Sequence, residues 1–324
     1  MKTRLLGKTG YAVSEIGLGC WQLGGDFGPL GDETAKAILD AADAAGISFW
    51  DSADVYGGGL SESRIGAHAR SASVRVATKV GRGAGLFPDG YSKAAMRASL
   101  EGSAARLGVE TLDLAQLHCV PTAVLRDGAV FGWMDEFQAE GLVRHWGASV
   151  ETIEEGLICL DQPGCATLQI IFNLFRQDAA SALLPKAAER NVGIIVRLPL
   201  ASGLLSGKFD KNTRFDVSDH RNYNAEGAAF SVGETFSGLP FQRGVELAQE
   251  LKGFAPDGMA LSQFALRWIL DHPQVSTVIA GVSKPEQIAD NAAASARKSL
   301  FPALMKQLGI WYENQVKPEI RGGV

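Results

Sequence analysis

Short apolar runs alternate along the chain with stretches whose apolar positions recur every three or four residues, the periods of buried strands and amphipathic helices. Eight runs read as strands: 16–21, 48–54, 74–80, 112–119, 143–149, 167–175, 192–200 and 275–282. Helices are predicted over 33–45, 61–69, 93–107, 130–140, 153–160, 183–191 and 285–293, with a pair at 241–251 and 261–270 between the seventh and eighth strands. Continuously apolar stretches such as Gly193-Ile194-Ile195-Val196 suit a parallel sheet covered on both faces. Eight such units in a chain of about 300 residues predict one α/β domain over 1–324, a (β/α)8 TIM barrel with a long loop after strand 7.

An open doubly wound sheet is the alternative, and the dinucleotide fingerprint speaks against it. Gly17-Leu18-Gly19-Cys20-Trp21-Gln22 has the first two glycines but glutamine at the third, and Gly81-Arg82-Gly83-Ala84-Gly85 misspaces the motif. Both read as loop glycines. The stretch 201–240 carries Gly203, Gly207, Gly227, Gly233 and Gly238 among Asp, Asn and Ser, without a sustained helical period. A loop of that length is usually functional or mobile. Following the seventh strand, it falls on the C-terminal face of a barrel and reads as a lid over an active site.

Composition narrows the partners. The chain has 324 residues, 46% of them hydrophobic and 21% charged, enough for a large core. With 31 basic against 36 acidic residues and no long run of one sign, neither nucleic acid nor an anionic membrane is an expected partner. No 18 uncharged apolar residues run together, and no apolar segment follows the N-terminal Lys2, Arg4 and Lys8, so a cytoplasmic location is expected. Cys20, Cys119, Cys159 and Cys165 lack metal or redox spacing and read as reduced, packed thiols. The residues leave the oligomeric state open.

Polar residues at the C-terminal ends of barrel strands face a common centre, where Asp51, Tyr56, Lys79 and His118 stand out. An enclosed Lys79 needs a counter-charge, which Asp51 on the adjacent strand supplies. Lysine beside Tyr56 favours the phenolate and would lower a phenol pKa ordinarily about 10. His118 can hydrogen-bond the same substrate oxygen. This set suits protonation of a carbonyl oxygen, with the hydride coming from a cofactor because no side chain donates one.

The run Phe49-Trp50-Asp51-Ser52-Ala53-Asp54-Val55-Tyr56-Gly57, with Gly59, Ser61 and Glu62 beyond it, resembles the signature of the aldo-keto reductase superfamily. Ala77-Thr78-Lys79 and the segment Leu112-Asp113-Leu114-Ala115-Gln116-Leu117-His118 resemble it too, and the match extends from Arg4 to Gln287. The resemblance implies an NADP-dependent oxidoreductase on a (β/α)8 barrel that reduces an aldehyde or ketone to an alcohol. Asp51, Tyr56, Lys79 and His118 would be its catalytic tetrad, with Tyr56 as the acid. NADPH is the implied cofactor, with NADH the less favoured choice, and a small-molecule carbonyl or alcohol is the implied substrate.

The implied cofactor-binding residues are Ser149, Gln169, Arg197, Leu205, Gly207, Lys208, Gly281, Ser283, Lys284, Gln287 and Asn291. Three positions depart from the family. Val150 stands where an asparagine usually follows the serine. Arg197 stands where an aromatic often meets the nicotinamide; its guanidinium can stack there, or pair with an acidic neighbour. Gln287 stands where many NADP-specific members carry arginine, so the 2′-phosphate lacks a bidentate clamp. Trp21, Phe27 and Phe87 are expected around an apolar substrate pocket, whereas Trp50 reads as packing. Two other functions remain: a redox-sensing regulatory subunit similar to potassium-channel β subunits, and a Schiff-base aldolase using Lys79.

Overall fold

The computed structural model describes residues 1–323. Two three-residue strands, β1 (Thr3–Leu5) and β2 (Ala12–Ser14), pair antiparallel with Thr3 opposite Ser14. Eight strands then follow: β3 (Ile16–Gly19), β4 (Phe49–Asp51), β5 (Arg75–Val80), β6 (Leu114–His118), β7 (Trp146–Ser149), β8 (Cys165–Ile171), β9 (Gly193–Arg197) and β10 (Val275–Gly281). All eight run parallel in chain order, and β10 pairs back onto β3. With helices in the connections, this is the expected (β/α)8 barrel.

The strands are shorter than the apolar runs that mark them. The run at 48–54 yields only Phe49–Asp51, and the run at 192–200 ends at Arg197, beyond which Leu198 and Pro199 turn out of the ladder to line the barrel mouth. The hairpin escapes a periodicity reading because three residues hold too few alternations. Helices Thr122–Asp127 and Ala179–Ala182, of six and four residues, are likewise too short to show a period. The helix Pro302–Trp311 was also unanticipated; its proline occupies the first turn, where a missing N–H is tolerated.

Side chains along each strand alternate between two apolar layers. Trp50, Val76, Ala115, Leu117, Leu168, Ile170, Ile194, Val196 and Val278 face outward and pack with the helices. Phe49, Ala77, Leu114, Ile195 and Ile279 face inward and form a separate cluster with Leu6 and Val13 of the hairpin. The hairpin plugs the N-terminal end of the barrel. A Cβ on Gly7 (φ +51°) would lie 2.1 Å from the backbone nitrogen of Gly193, the first residue of β9, so only glycine permits this approach. Trp50 is fully buried, its indole N–H donating to the Ile47 carbonyl at 2.9 Å, in accord with its reading as packing. All four cysteines are free and buried.

Candidate active site

Two residues beyond the inward Phe49, Ala77, Leu114 and Ile195, at the C-terminal ends of the same strands, the interior becomes polar. Asp51, Lys79, Gln116, His118, Ser149, Gln169 and Arg197 are all buried there. Above them opens a cavity of about 630 Å³. Lys79 Nζ donates to Asp51 Oδ2 at 2.5 Å, to the Ser52 carbonyl at 2.7 Å and to Tyr56 Oη at 3.1 Å. Tyr56 sits on the turn after β4, and its ring meets that of His118 edge-on with centroids 5.9 Å apart. The four residues singled out by their strand-end positions therefore meet at one place.

Two glutamines complete this floor. Asp51 Oδ1 accepts from Gln116 Nε2 at 3.0 Å and from Gln169 Nε2 at 2.7 Å, so the carboxylate that neutralises Lys79 is itself held from two strands. Gln116 escaped notice although it occupies β6 two residues before His118, on the same inward face. Alternation along that strand was the available signal.

Electrostatics correct one expectation. Burial raises the Tyr56 pKa, and although Lys79 opposes it, Asp51 acts with burial and the phenol is pushed up to about 12. Lysine thus limits the rise instead of producing a net fall, and Tyr56 remains a protonated donor at neutral pH. Burial disfavours charge on Lys79, but Asp51 and Tyr56 outweigh it and raise its pKa. With Nζ also engaged by Asp51, Tyr56 and the Ser52 carbonyl, the lysine is poorly placed to form an imine, which argues against the aldolase alternative. Burial, with Lys79, Arg82 and Arg197 nearby, holds His118 well below its ordinary pKa as a neutral ring, and its Nδ1 has no partner.

The cofactor candidates divide between two places. Ser149, Gln169, Arg197 and Gly281 line the cavity with Asp51, Tyr56 and His118. Ser149 Oγ donates to Gln169 Oε1 at 3.3 Å. A Cβ on Gly281 would fall 2.0 Å from Gln22 Nε2, so glycine there keeps the rim open. Val150 turns into the outer apolar layer and gives its carbonyl to Arg197 at 3.0 Å, leaving no side-chain donor where the family usually has one. Arg197 also pairs with Glu234 at 3.5 Å, the acidic-neighbour reading of this residue.

The other candidates flank the mouth. Leu205 packs in the apolar layer, and Gly207 (φ +70°) gives its carbonyl to Lys252 Nζ at 3.1 Å. Lys208, next to it, donates its backbone N–H to Ser206 Oγ. Ser283 and Lys284 are exposed before helix Glu286–Ala296, which carries the buried Asn291. Gln287 Oε1 accepts from the backbone nitrogens of Ser283 at 2.8 Å and Lys284 at 3.0 Å. Helix Leu261–Leu270 packs against both flanking segments.

Trp21, Phe27 and Phe87 all line the cavity. Trp21 stacks on Tyr56, with centroids 5.7 Å apart and planes 20° apart, and meets Phe27 edge-on at 5.0 Å. The 201–240 stretch is more built than a featureless lid. It contains short helical turns at Ala201–Ser206, His220–Tyr223, Val232–Glu234 and Phe236–Gly238, and its Tyr223, Phe230 and Glu234 form part of the cavity wall. Buried Asn173 donates to the Leu198 carbonyl at 2.8 Å and to Ser237 Oγ at 2.9 Å, pinning the end of the stretch to the exit of β9. Cys119, Leu198, Ala201, Ser202, Phe236 and Ser237 adopt positive φ around this mouth, strain typical of functional sites.

Beside Tyr56, Arg197 belongs to a cluster whose other charged members, Arg82, Glu151 and Glu234, the sequence reading missed; Cys119 lies among them. Arg82 pairs with Glu151 at 2.5 Å and with Glu234 at 3.5 Å. Burial and the Glu234 charge push Glu151 up to about 7, whereas Arg197 and Arg82 overcome burial to keep Glu234 below its ordinary value. Ligand atoms of Cys119, Glu151 and Glu234 come within 4.8 Å of one another, but a metal cation there would face both guanidiniums.

Comparison with known proteins follows the same lines. The model of the aldo/keto reductase family matches residues 15–308. A probable voltage-gated potassium channel subunit beta from Oryza sativa subsp. japonica is 30% identical over 314 residues, covering 91% of each chain. The solved glycerol dehydrogenase of Gluconobacter oxydans superposes with a TM-score of 0.79 at 26% identity, covering 100% of this chain and 98% of its own. An aldo-keto reductase from Klebsiella pneumoniae, solved in complex with NADPH, shares the fold with a TM-score of 0.71 at 24% identity over 99% of each chain. No helix among the described residues is long and apolar enough to cross a membrane.

Proposed function

Since the chain belongs to the aldo/keto reductase family, we propose that it reduces an aldehyde or ketone to an alcohol, reversibly, using NADPH in preference to NADH. One observation carries the reading: Lys79 Nζ bridges Asp51 and Tyr56 Oη under the cavity, with His118 beside the phenol. When bound, the nicotinamide supplies a hydride to the carbonyl carbon. Tyr56 Oη releases its proton to the carbonyl oxygen and recovers one from solvent. Lys79 stabilises the phenolate left behind, and Asp51 with its two glutamines keeps that lysine charged and in place. Neutral His118 hydrogen-bonds the substrate oxygen and orients it.

The residues present fit the cofactor. Ser149 and Gln169 offer hydroxyl and amide groups to a carboxamide at the cavity floor. The Ser283 and Lys284 amides, now satisfied by Gln287, are donors suited to a phosphate oxygen, and Lys284 forms no ion pair among the described residues. The likeness to the rice channel subunit supports a second reading, a nucleotide-binding regulatory subunit with little turnover.

NADPH consumption with a simple aldehyde separates the two readings. The reductase reading requires steady turnover, and Tyr56→Phe should lower kcat by about 10²- to 10⁴-fold with NADPH Kd nearly unchanged. Near-normal kcat in this variant would remove Tyr56 from the role of acid, and absence of turnover across aldehydes and ketones would favour the regulatory reading.

A further inference from the structure

The cavity lining combines two unlike groups. The rings of Phe27, Trp21, Phe230 and Tyr223 touch one another in succession, whereas Arg82, Glu151, Glu234 and Arg197, joined by ion pairs, form a charged wall with Glu155 bonded to the Glu151 backbone. The charged wall is assembled from the exits of three strands, β5, β7 and β9. Arg82 follows β5, Glu151 follows β7, Arg197 ends β9, and Glu234 comes from the 201–240 stretch. A single Glu234 oxygen lies 3.5 Å from both Arg82 and Arg197, so it ties the two guanidiniums together. Hydrogen bonding in this wall is incomplete: Arg82 Nε and Arg197 Nε are buried without partners.

An apolar substrate would leave those donors and the carboxylate oxygens facing hydrocarbon, at the cost of buried polar groups without partners. An anionic substrate would add negative charge beside Glu234, in a crowd of carboxyls that already raises the pKa of Glu151 and where two guanidiniums are engaged. A hydroxyl is neutral and is both donor and acceptor, so it can accept from a guanidinium and donate to a carboxylate. The C–H faces of a hydroxylated chain can lie against the aromatic rings of the same cavity. We propose that the wall of Arg82, Glu151 and Glu234, with Glu234 held in place by Arg197, is a specificity determinant selecting small polyhydroxylated carbonyl compounds, hydroxyaldehydes or short sugars, over apolar and anionic ones. The inference rests on the hydride-transfer reading for its chemistry, whereas recognition of hydroxyl groups can be read separately by binding.

Glyceraldehyde and propanal share a three-carbon skeleton and differ in hydroxyl groups, so they make the comparison direct. Wild type should favour glyceraldehyde in kcat/KM by at least about tenfold, and Arg82→Met should lower that value about 10- to 150-fold, mainly through KM, while changing propanal by less than about threefold. Glu151→Gln keeps the size and part of the hydrogen bonding, and should move glyceraldehyde in the same direction by a smaller factor. It carries the test if Arg82→Met fails to fold. Calorimetric titration of xylitol into the protein with NADP+ gives a readout independent of turnover: wild type should bind it, and Arg82→Met should weaken binding by a similar factor.

Equal use of propanal and glyceraldehyde by wild type, preference for pyruvate over glyceraldehyde, or xylitol binding absent from wild type would each overturn the proposal. Equal losses on both aldehydes in the folded variants would do so too. Absence of carbonyl turnover together with Arg82-dependent xylitol binding would instead sink the reductase reading and leave the hydroxyl-recognising wall standing.

Discussion

The two ends of the barrel interior are built from the same strands and do opposite things. Phe49 and Asp51 are two residues apart on β4, as are Ala77 and Lys79 on β5, Leu114 and Gln116 on β6, and Ile195 and Arg197 on β9. The first of each pair joins the apolar plug with Leu6 and Val13. The second belongs to the polar floor, where His118 Nδ1 and Arg197 Nε are buried without partners and six non-glycine residues nearby adopt positive φ. Burying a large aliphatic or aromatic side chain stabilises by about 1.5–3 kcal/mol. A strained backbone position costs about 1–3 kcal/mol. The division of labour therefore runs along each strand: the N-terminal end supplies stability that the C-terminal end consumes in holding charged groups ready for chemistry.

The largest expected contrast comes from Leu114→Ala in the plug. Removing a fully buried leucine should cost about 2–5 kcal/mol of stability, measured as a fall in denaturation midpoint, while kcat of the folded fraction stays near wild type. Tyr56→Phe should behave in the opposite way, losing kcat with little change in stability. A Leu114→Ala protein of normal stability, or one whose folded fraction has lost its turnover, would break the separation of the two ends.

A second test lies at the outer flank of the open end. Lys284→Ala should weaken NADPH binding by about 10- to 150-fold at low ionic strength and leave NADH nearly unaffected, as expected for a charge-assisted contact to the 2′-phosphate. Stability should not move, because Lys284 is exposed and unpaired among the described residues. Retention of the full NADPH preference would transfer the phosphate to another cation, with Lys208 and Arg297 the first to examine; Arg297 already donates to Gln263 Oε1 at 2.6 Å.

The smallest effect concerns pH. His220 is buried between Trp21 and Phe27, at 4.7 and 4.3 Å between ring centroids, with neither ring nitrogen hydrogen-bonded. Burial is the main cause that lowers its pKa from 6.5 to about 4. Between those values the unfolded chain holds a proton that the folded chain does not, so stability falls as pH drops through that window and is unaffected above it. His220→Phe should remove part of this dependence, raising Tm by roughly 2 °C at pH 5 and by less at pH 7.5. An equal change at both pH values would show that the site senses shape and not protonation. The apolar plug contains no histidine, so its variants should not alter this slope.

Much of this arrangement was legible in the chain. The eight strands, most of the larger helices and the closed topology follow from periodicity, because burying one face of a strand or helix imposes its repeat on the sequence. The meeting of Asp51, Lys79 and His118 was legible for a related reason: a lysine, an aspartate and a histidine ending apolar strands have few places to go except a shared polar centre. Gln116 could have been read from the same alternation. The hairpin plug, the short helices and the turns within 201–240 were too brief to show a period.

Residue order thus determined the β/α alternation, the strand-end positions of Asp51, Lys79 and His118, and the departures at Val150, Arg197 and Gln287. Only the tertiary structure decided that Glu234, 83 positions after Glu151, joins it with Arg82 and Arg197 in one wall. Tertiary structure also set the sign of the Tyr56 shift, since burial is a property of the assembled mouth and outweighs the neighbouring lysine. Periodic contacts within one element leave a trace along the chain because each turn or pleat repeats them. Contacts among the exits of three different strands leave none, because their geometry exists only once the barrel has closed.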